Sequence, residues 1–213
     1  MKTDDLISLL ARQPGARPAA RPSRDLAVAS AAAVGSAFAL MLLLLGPRPD
    51  LWAATSHPLF QQKVVALGVL AALSTALAYR CGLPGRELGR WRTARLAPLL
   101  WLLVATGATL ATAPEGARIA LFWSSSIMVC LIMVPVLSIV PALAFLWMLR
   151  RSAPTDPKRA ALAVGWASGG TGALAYALYC SADQPGYVML WYGLAIAIVV
   201  ALVRLLGARA LRW

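Results

Sequence analysis

Residues 130–154 read CLIMVPVLSIVPALAFLWMLRRSAP. From Cys130 to Leu149 the stretch carries no charge, and it then meets Arg150 and Arg151. About 20 apolar residues at a rise of 1.5 Å each span about 30 Å, the thickness of a bilayer's hydrocarbon core. A basic doublet directly after such a run marks a helix that stops at a membrane surface. The rest of the chain has the same character: 60% of its 213 residues are hydrophobic, 13% are charged, and the mean hydropathy is +0.71. Soluble domains do not reach these values.

The expected fold is all-α, a polytopic membrane protein with six transmembrane helices. The apolar runs cover 26–45, 64–79, 96–113, a stretch within 119–149, 160–182 and 188–206. They are continuous rather than alternating, which excludes the strands of a β-barrel. About two dozen polar residues precede the first run and no small-x-small cleavage site follows it, so it reads as a true span rather than a signal peptide. Residues 1–24 are expected to form a cytoplasmic amphipathic helix and linker, and residues 25–213 the six-helix transmembrane domain.

The formal net charge of +12 raises the question of a nucleic-acid partner. Of the 20 Lys and Arg, all but Arg48, Lys63 and Arg118 fall before span 1, between spans 2 and 3, between spans 4 and 5, or after span 6. That distribution follows the positive-inside rule and places both termini in the cytoplasm. The basic excess therefore serves topology and contact with anionic membrane lipid, with no direct nucleic-acid site.

No Asp, Glu, Lys, Arg or His lies within the six runs as drawn. Ion-coupled transporters and intramembrane hydrolases place such groups in the bilayer despite their cost, so their absence argues against both classes. HExxH, GxSxG and Walker motifs are also missing. The single histidine, His57, sits in the outer loop SHPLFQQK, where solvation explains it. In GWASGGTGALAY, Gly165 and Gly169 stand at GxxxG spacing and read as helix-packing positions. Pro135 and Pro141 each remove a backbone donor from span 4 and tend to bend it.

The chain has three cysteines, none of them in a CxxC pair. Cys81 adjoins Arg80 at the cytoplasmic end of span 2. Cys130 lies about 20 residues before Arg150 and Cys180 about 20 after Arg159, so both stand about 30 Å from the inner boundary and at matching heights. The short loop RRSAPTDPKR makes spans 4 and 5 antiparallel neighbours. A disulfide or a shared transient metal at Cys130 and Cys180 is geometrically open, as is simple packing. Asp183, in the outer loop SADQPGY, offers an oxygen ligand.

At the N-terminus, Thr3 can cap a helix whose first turn holds Asp4 and Asp5, matched to the macrodipole. Leu6, Leu9 and Leu10, with Ile7 alongside, form its apolar stripe, and Pro14 and Gly15 end it. Two or three turns are too few to be stable alone in water. The stripe must therefore be covered, either by a partner groove or by the lipid surface.

Taken together, MKTDDLISLLA, HPLFQQK, CLIMVPVLSIVPALAFLWMLRRSAP, ALAYALYCSADQPGYVMLWYG and the terminal LRW resemble the NrsF family, the negative regulators of sigma F. The resemblance covers nearly the whole chain. It implies a bacterial inner-membrane anti-sigma factor, not an enzyme, whose cytoplasmic N-terminal segment holds an extracytoplasmic-function sigma factor. Release of that sigma factor would answer heavy-metal or oxidative stress.

The family's paired cysteines map onto Cys130 and Cys180, and its outer-loop motif onto Pro58, Phe60 and Lys63. Sigma-factor binding is expected at Asp4, Asp5, Leu6, Ile7, Leu9 and Leu10. Many relatives have His before the second cysteine, where this chain has Tyr179. The competing reading is a small membrane transporter or metal-efflux component that uses thiolates and carbonyls in place of carboxylates. A membrane thiol oxidoreductase would need a second cysteine pair, which Cys81 alone cannot supply.

Overall fold

The computed structural model describes residues 8, 22–83, 85, 89–152 and 154–211, with the backbone alone at 90 and 92. Asp4, Asp5, Leu6, Ile7, Leu9 and Leu10 lie outside the described residues. Among those described there is no strand. Each apolar run becomes a helix: α1 (Pro22–Leu44), α2 (Pro58–Cys81), α3 (Ala97–Thr112), α4 (Ile127–Ser152), α5 (Pro157–Ala177) and α6 (Pro185–Ala210). Proline starts α2, α3, α5 and α6 at the first or second helical position, where its missing N–H costs nothing. At α5 the Asp156 side chain also accepts a bond from the Arg159 backbone N–H at 3.0 Å.

By length and composition α1, α2, α4 and α6 suit a membrane crossing, which supports membrane association. The remaining two helices differ from that pattern for separate reasons. α5 is less apolar because protein surrounds it: α1, α2, α4 and α6 all pack on it. Its surface is small, and its buried Ser168 and Thr171 hydroxyls donate to the Val164 and Ala167 carbonyls of their own helix. Backbones therefore approach closely. A Cβ on Gly165 would lie 2.8 Å from the Val200 Cα of α6, and one on Gly170 would lie 3.1 Å from the Ala71 Cα of α2. One on Gly172 would lie 2.9 Å from the Val134 carbonyl of α4 and would strike the Ser138 hydroxyl.

α3 is 16 residues long, about 24 Å, short of a full crossing. Its first turn, with Ala97, Pro98 and Trp101, faces Pro58, Gln62 and Val69 in the first half of α2. The run 96–113 thus forms a helix that begins beside the first half of α2 rather than beside its end. The basic segment between the two helices is drawn against the bundle instead, with Arg80 over the Trp91 ring at 4.5 Å and Arg95 over the Trp166 ring at 5.4 Å. The chain has thus moved partway along α2 before α3 begins.

α1 buries a stripe at a spacing of four, Ala29, Ala33, Ala37 and Met41, and packs along α4. α4 runs unbroken through Pro135 and Pro141, and the Ser138 hydroxyl donates to the Val134 carbonyl at 2.7 Å.

These contacts yield a graded expectation for methyl insertion. Gly165→Ala and Gly172→Ala meet backbone atoms and should each cost about 1–3 kcal/mol. Gly169→Ala meets first the Ile196 side chain, which can give way, and should cost less. Denaturation of the detergent-solubilised chain measures all three, and equal losses would contradict the packing described.

Candidate functional site

The helix that carries Cys180 in the sequence reading ends earlier than expected. α5 stops at Ala177, and Cys180 stands in a non-helical stretch that reaches to Gln184. Backbone carbonyls there lack helical partners in an apolar setting, which is costly unless something else donates to them. Two distant residues do so. The Arg48 backbone N–H donates to the Leu178 carbonyl at 3.2 Å, and the Lys63 ammonium donates to the Cys180 carbonyl at 2.7 Å.

Lys63 is only 1% exposed. The apolar run was drawn from residue 64, but α2 begins at Pro58, so a lysine expected in the outer loop lies in the second turn of a buried helix. It pairs with Asp183, which also receives Arg48 at 3.0 Å. Arg48 in turn grips Asp50 with two bonds, at 2.7 and 2.6 Å. The Phe60 ring lies against both cations, at 5.6 Å from Arg48 and 5.4 Å from Lys63. Two positive and two negative side chains thus close on themselves at this end of the bundle. The Arg48 hydrogen bond holds the Asp50 carboxyl down to about 2, and Asp50, followed by Asp183, raises Arg48 above its ordinary value.

Beneath the cluster, Cys130 and Cys180 are free thiols, 0% and 1% exposed, in one packed core. Cys130 is one turn into α4, its N–H bonded to the Ser126 carbonyl at 2.9 Å. Three tyrosines complete the surroundings. The phenol oxygens of Tyr176, Tyr187 and Tyr192 are buried without a hydrogen-bond partner, and all three tyrosines belong to the same packed core as the two thiols. A π-helical turn at Val188–Tyr192 opens α6. Its wider winding brings residues five apart toward one face, and the Tyr187 and Tyr192 rings meet edge-on at 6.2 Å.

Over residues 10–213 the chain matches the NrsF family, described as negative regulator of sigma F. It is 34% identical over 214 residues to the probable anti-sigma-F factor NrsF of Azospira oryzae, and 34% identical over 218 residues to the anti-sigma-F factor NrsF of Caulobacter vibrioides; each alignment covers 100% of both chains. The chain belongs to the NrsF family. No solved structure matches it. The family's role is regulatory, not enzymatic.

Of the residues assigned through the NrsF resemblance, the structure brings together those of the outer motif and the cysteines. Pro58 starts α2, Phe60 and Lys63 are buried behind it, and Lys63 touches the Cys180 backbone. Asp183, read as an oxygen ligand, is instead engaged by Lys63 and Arg48. Among the described residues no three His, Cys, Asp or Glu side chains gather as a metal site, so a metal here would find two protein thiolates. Sequence reasoning missed Arg48, Tyr176, Tyr187 and Tyr192. A signal for Arg48 and Lys63 was present: both break the positive-inside pattern, and a cation on the wrong side of that pattern needs a local reason.

Lys63→Met leaves the Asp183 carboxylate partly uncompensated in a buried site and should lower stability by about 3 kcal/mol. Asp50→Asn, at an exposed position, should leave the melting midpoint unchanged. Thermal unfolding in detergent checks both, and a Lys63→Met chain as stable as the parent would show that the cluster does not hold the Cys180 stretch.

Proposed function

We propose that this chain is a six-span anti-sigma factor of the bacterial inner membrane, with both termini in the cytoplasm. Its N-terminal segment holds an extracytoplasmic-function sigma factor, and oxidation or metal binding at Cys130 and Cys180 on the outer side releases it. The observation that carries this reading is the polarity of α4. Cys130 lies in its first turn, and Arg150 and Arg151 lie in its last.

At that basic end Arg151 pairs with Asp25 at 3.2 Å. Asp25 is buried in the first turn of α1, the helix that directly follows the N-terminal segment. α1 also packs along α4. A displacement of α4 at the thiol end is therefore transmitted along packed helices to the root of the segment that would hold the sigma factor. α5 fits the six-span reading as a helix shielded by its neighbours, and α3 as an apolar helix, exposed along much of its length, that is short for a full crossing. The transporter reading finds less support, because the buried Lys63 belongs to an ion cluster closed at one end, with no Asp, Glu, Lys, Arg or His between it and Arg80 on α2.

Moving a sigma factor from 1:99 free to 99:1 free requires about 5.5 kcal/mol of differential stabilisation. A disulfide or thiolate–metal bonds supply energy on that scale, whereas an exposed ion pair does not.

Three measurements test the reading. Replacing Cys130 and Cys180 together by Ser should abolish induction of the target regulon by oxidant or metal, and normal induction would sink the sensing claim. Deletion of residues before Pro14 should switch the regulon on constitutively; continued co-purification of a sigma factor with the truncated chain would contradict the assigned binding segment. Asp25→Arg and Arg151→Asp should each disturb basal expression, and the double charge swap should restore it. A swap no better than the single changes would separate the ion pair from signalling.

A further inference from the structure

Both thiols are buried, so whatever reacts with them must have a route to them. A cavity of about 530 Å³ lies at the same end of the bundle, within the size range of small-molecule sites. Ser181 and Asp183, the residues just after Cys180, form one wall. Ser124 forms another, and it lies two residues before Ser126, whose carbonyl accepts the Cys130 N–H. Tyr187 lines the cavity on one side and belongs to the packed core of the two thiols on the other.

The lining is polar on much of its area and includes Arg48 and His57, unlike the mostly apolar walls of a pocket for lipophilic ligands. His57 and Ser181 are exposed, so the cavity opens to the surface. Arg48 and Lys63 are balanced by Asp50 and Asp183, so its immediate ionic surroundings favour neither sign of charge.

We propose that this cavity is the receiving site for a small, water-borne thiol-reactive solute, which passes Ser181 and Tyr187 to reach Cys180 before Cys130. A membrane-dissolved reagent would arrive by another path, between helices, and would not need it. The inference rests on the sensing reading of the cysteines, but it concerns access and is read on the thiols themselves.

The test uses the full chain in lipid nanodiscs, charged methanethiosulfonates of either sign, and N-ethylmaleimide as the lipophilic comparison. With a methanethiosulfonate, the thiolate sulfur attacks the reagent's thiol-side sulfur, a mixed disulfide forms, and methanesulfinate leaves. Mass spectrometry of peptides then reports each cysteine separately. The charged reagents should label Cys180 first. Ala120→Trp fills the cavity from an exposed position in its lining. It should abolish labelling by the charged reagents over the time that fully labels the parent, and leave the N-ethylmaleimide rate unchanged.

Ser124→Trp, filling from another wall, should do the same. Labelling by charged reagents that persists in both filled variants overturns the proposal, as does a parent chain that only N-ethylmaleimide labels. Regulon induction that survives the loss of both cysteines would defeat the sensing reading while leaving the labelling result intact, so the two failures are distinguishable.

Discussion

The bundle depends on how closely four helices approach α5. A helix surrounded by protein on every side cannot be held by the hydrophobic effect within a membrane, because lipid tails are as apolar as any side chain. Association must come from packing contacts, and small residues give them by letting backbones nearly touch. Gly165, Gly170 and Gly172 face three different partners, α6, α2 and α4, within little more than two turns of helix. The three contacts fix the rotation of α5 about its axis, and with it the direction in which the chain leaves at Ala177. Where Cys180 lies is therefore a consequence of glycines about two to four turns earlier.

The ion cluster answers a need created by that exit. Once α5 ends short of the surface, the Leu178 and Cys180 carbonyls require donors, and a loop beyond α1 and the start of α2 provide them through Arg48 and Lys63. Burying Lys63 is expensive, and its pairing with Asp183 offsets the cost without making the arrangement a large source of stability. What the pairing adds is position. It ties α2, the stretch after α1 and the stretch before α6 to one another at the level of the thiols, so Cys180 is not free to drift although it stands outside any helix.

Much of this architecture is legible in the sequence, and what is not has identifiable physical causes. Apolar runs and basic boundaries mark the helices, because length and charge are local properties. Lys63 is misread because a hydropathy run is drawn to stop at the first charge, and its partner Asp183 lies 120 positions away, where no local rule reaches it. The shortened α5 and the tyrosines around the thiols are hidden for the same reason: a phenol's neighbours depend on tertiary rotation and on a π-turn that no spacing rule announces. α3 begins partway along α2 because the connecting segment is docked by Arg80 of α2 on its own Trp91 and by its Arg95 on Trp166 of α5, a preference of individual pairs rather than of composition. Conversely, Gly165 and Gly169 read correctly as packing positions, since their meaning comes from what they lack.

The two ends of α4 make different contacts, and the proposed signalling connects them. At the thiol end Cys130 is enclosed in a packed core with the other thiol and Tyr187, so a new covalent or metal bond there acts against close packing and cannot be absorbed by solvent. At the basic end Arg151 is half exposed, and its carboxylate partner Asp25 is buried at the root of α1. Both ends of α4 are packed, with Met148 and Leu149 buried at the basic one, so the helix moves as a unit with its neighbours. Strain introduced at the thiols would therefore pass along α4 to the Arg151–Asp25 pair, the one charged contact among the described residues between that end of α4 and the root of α1.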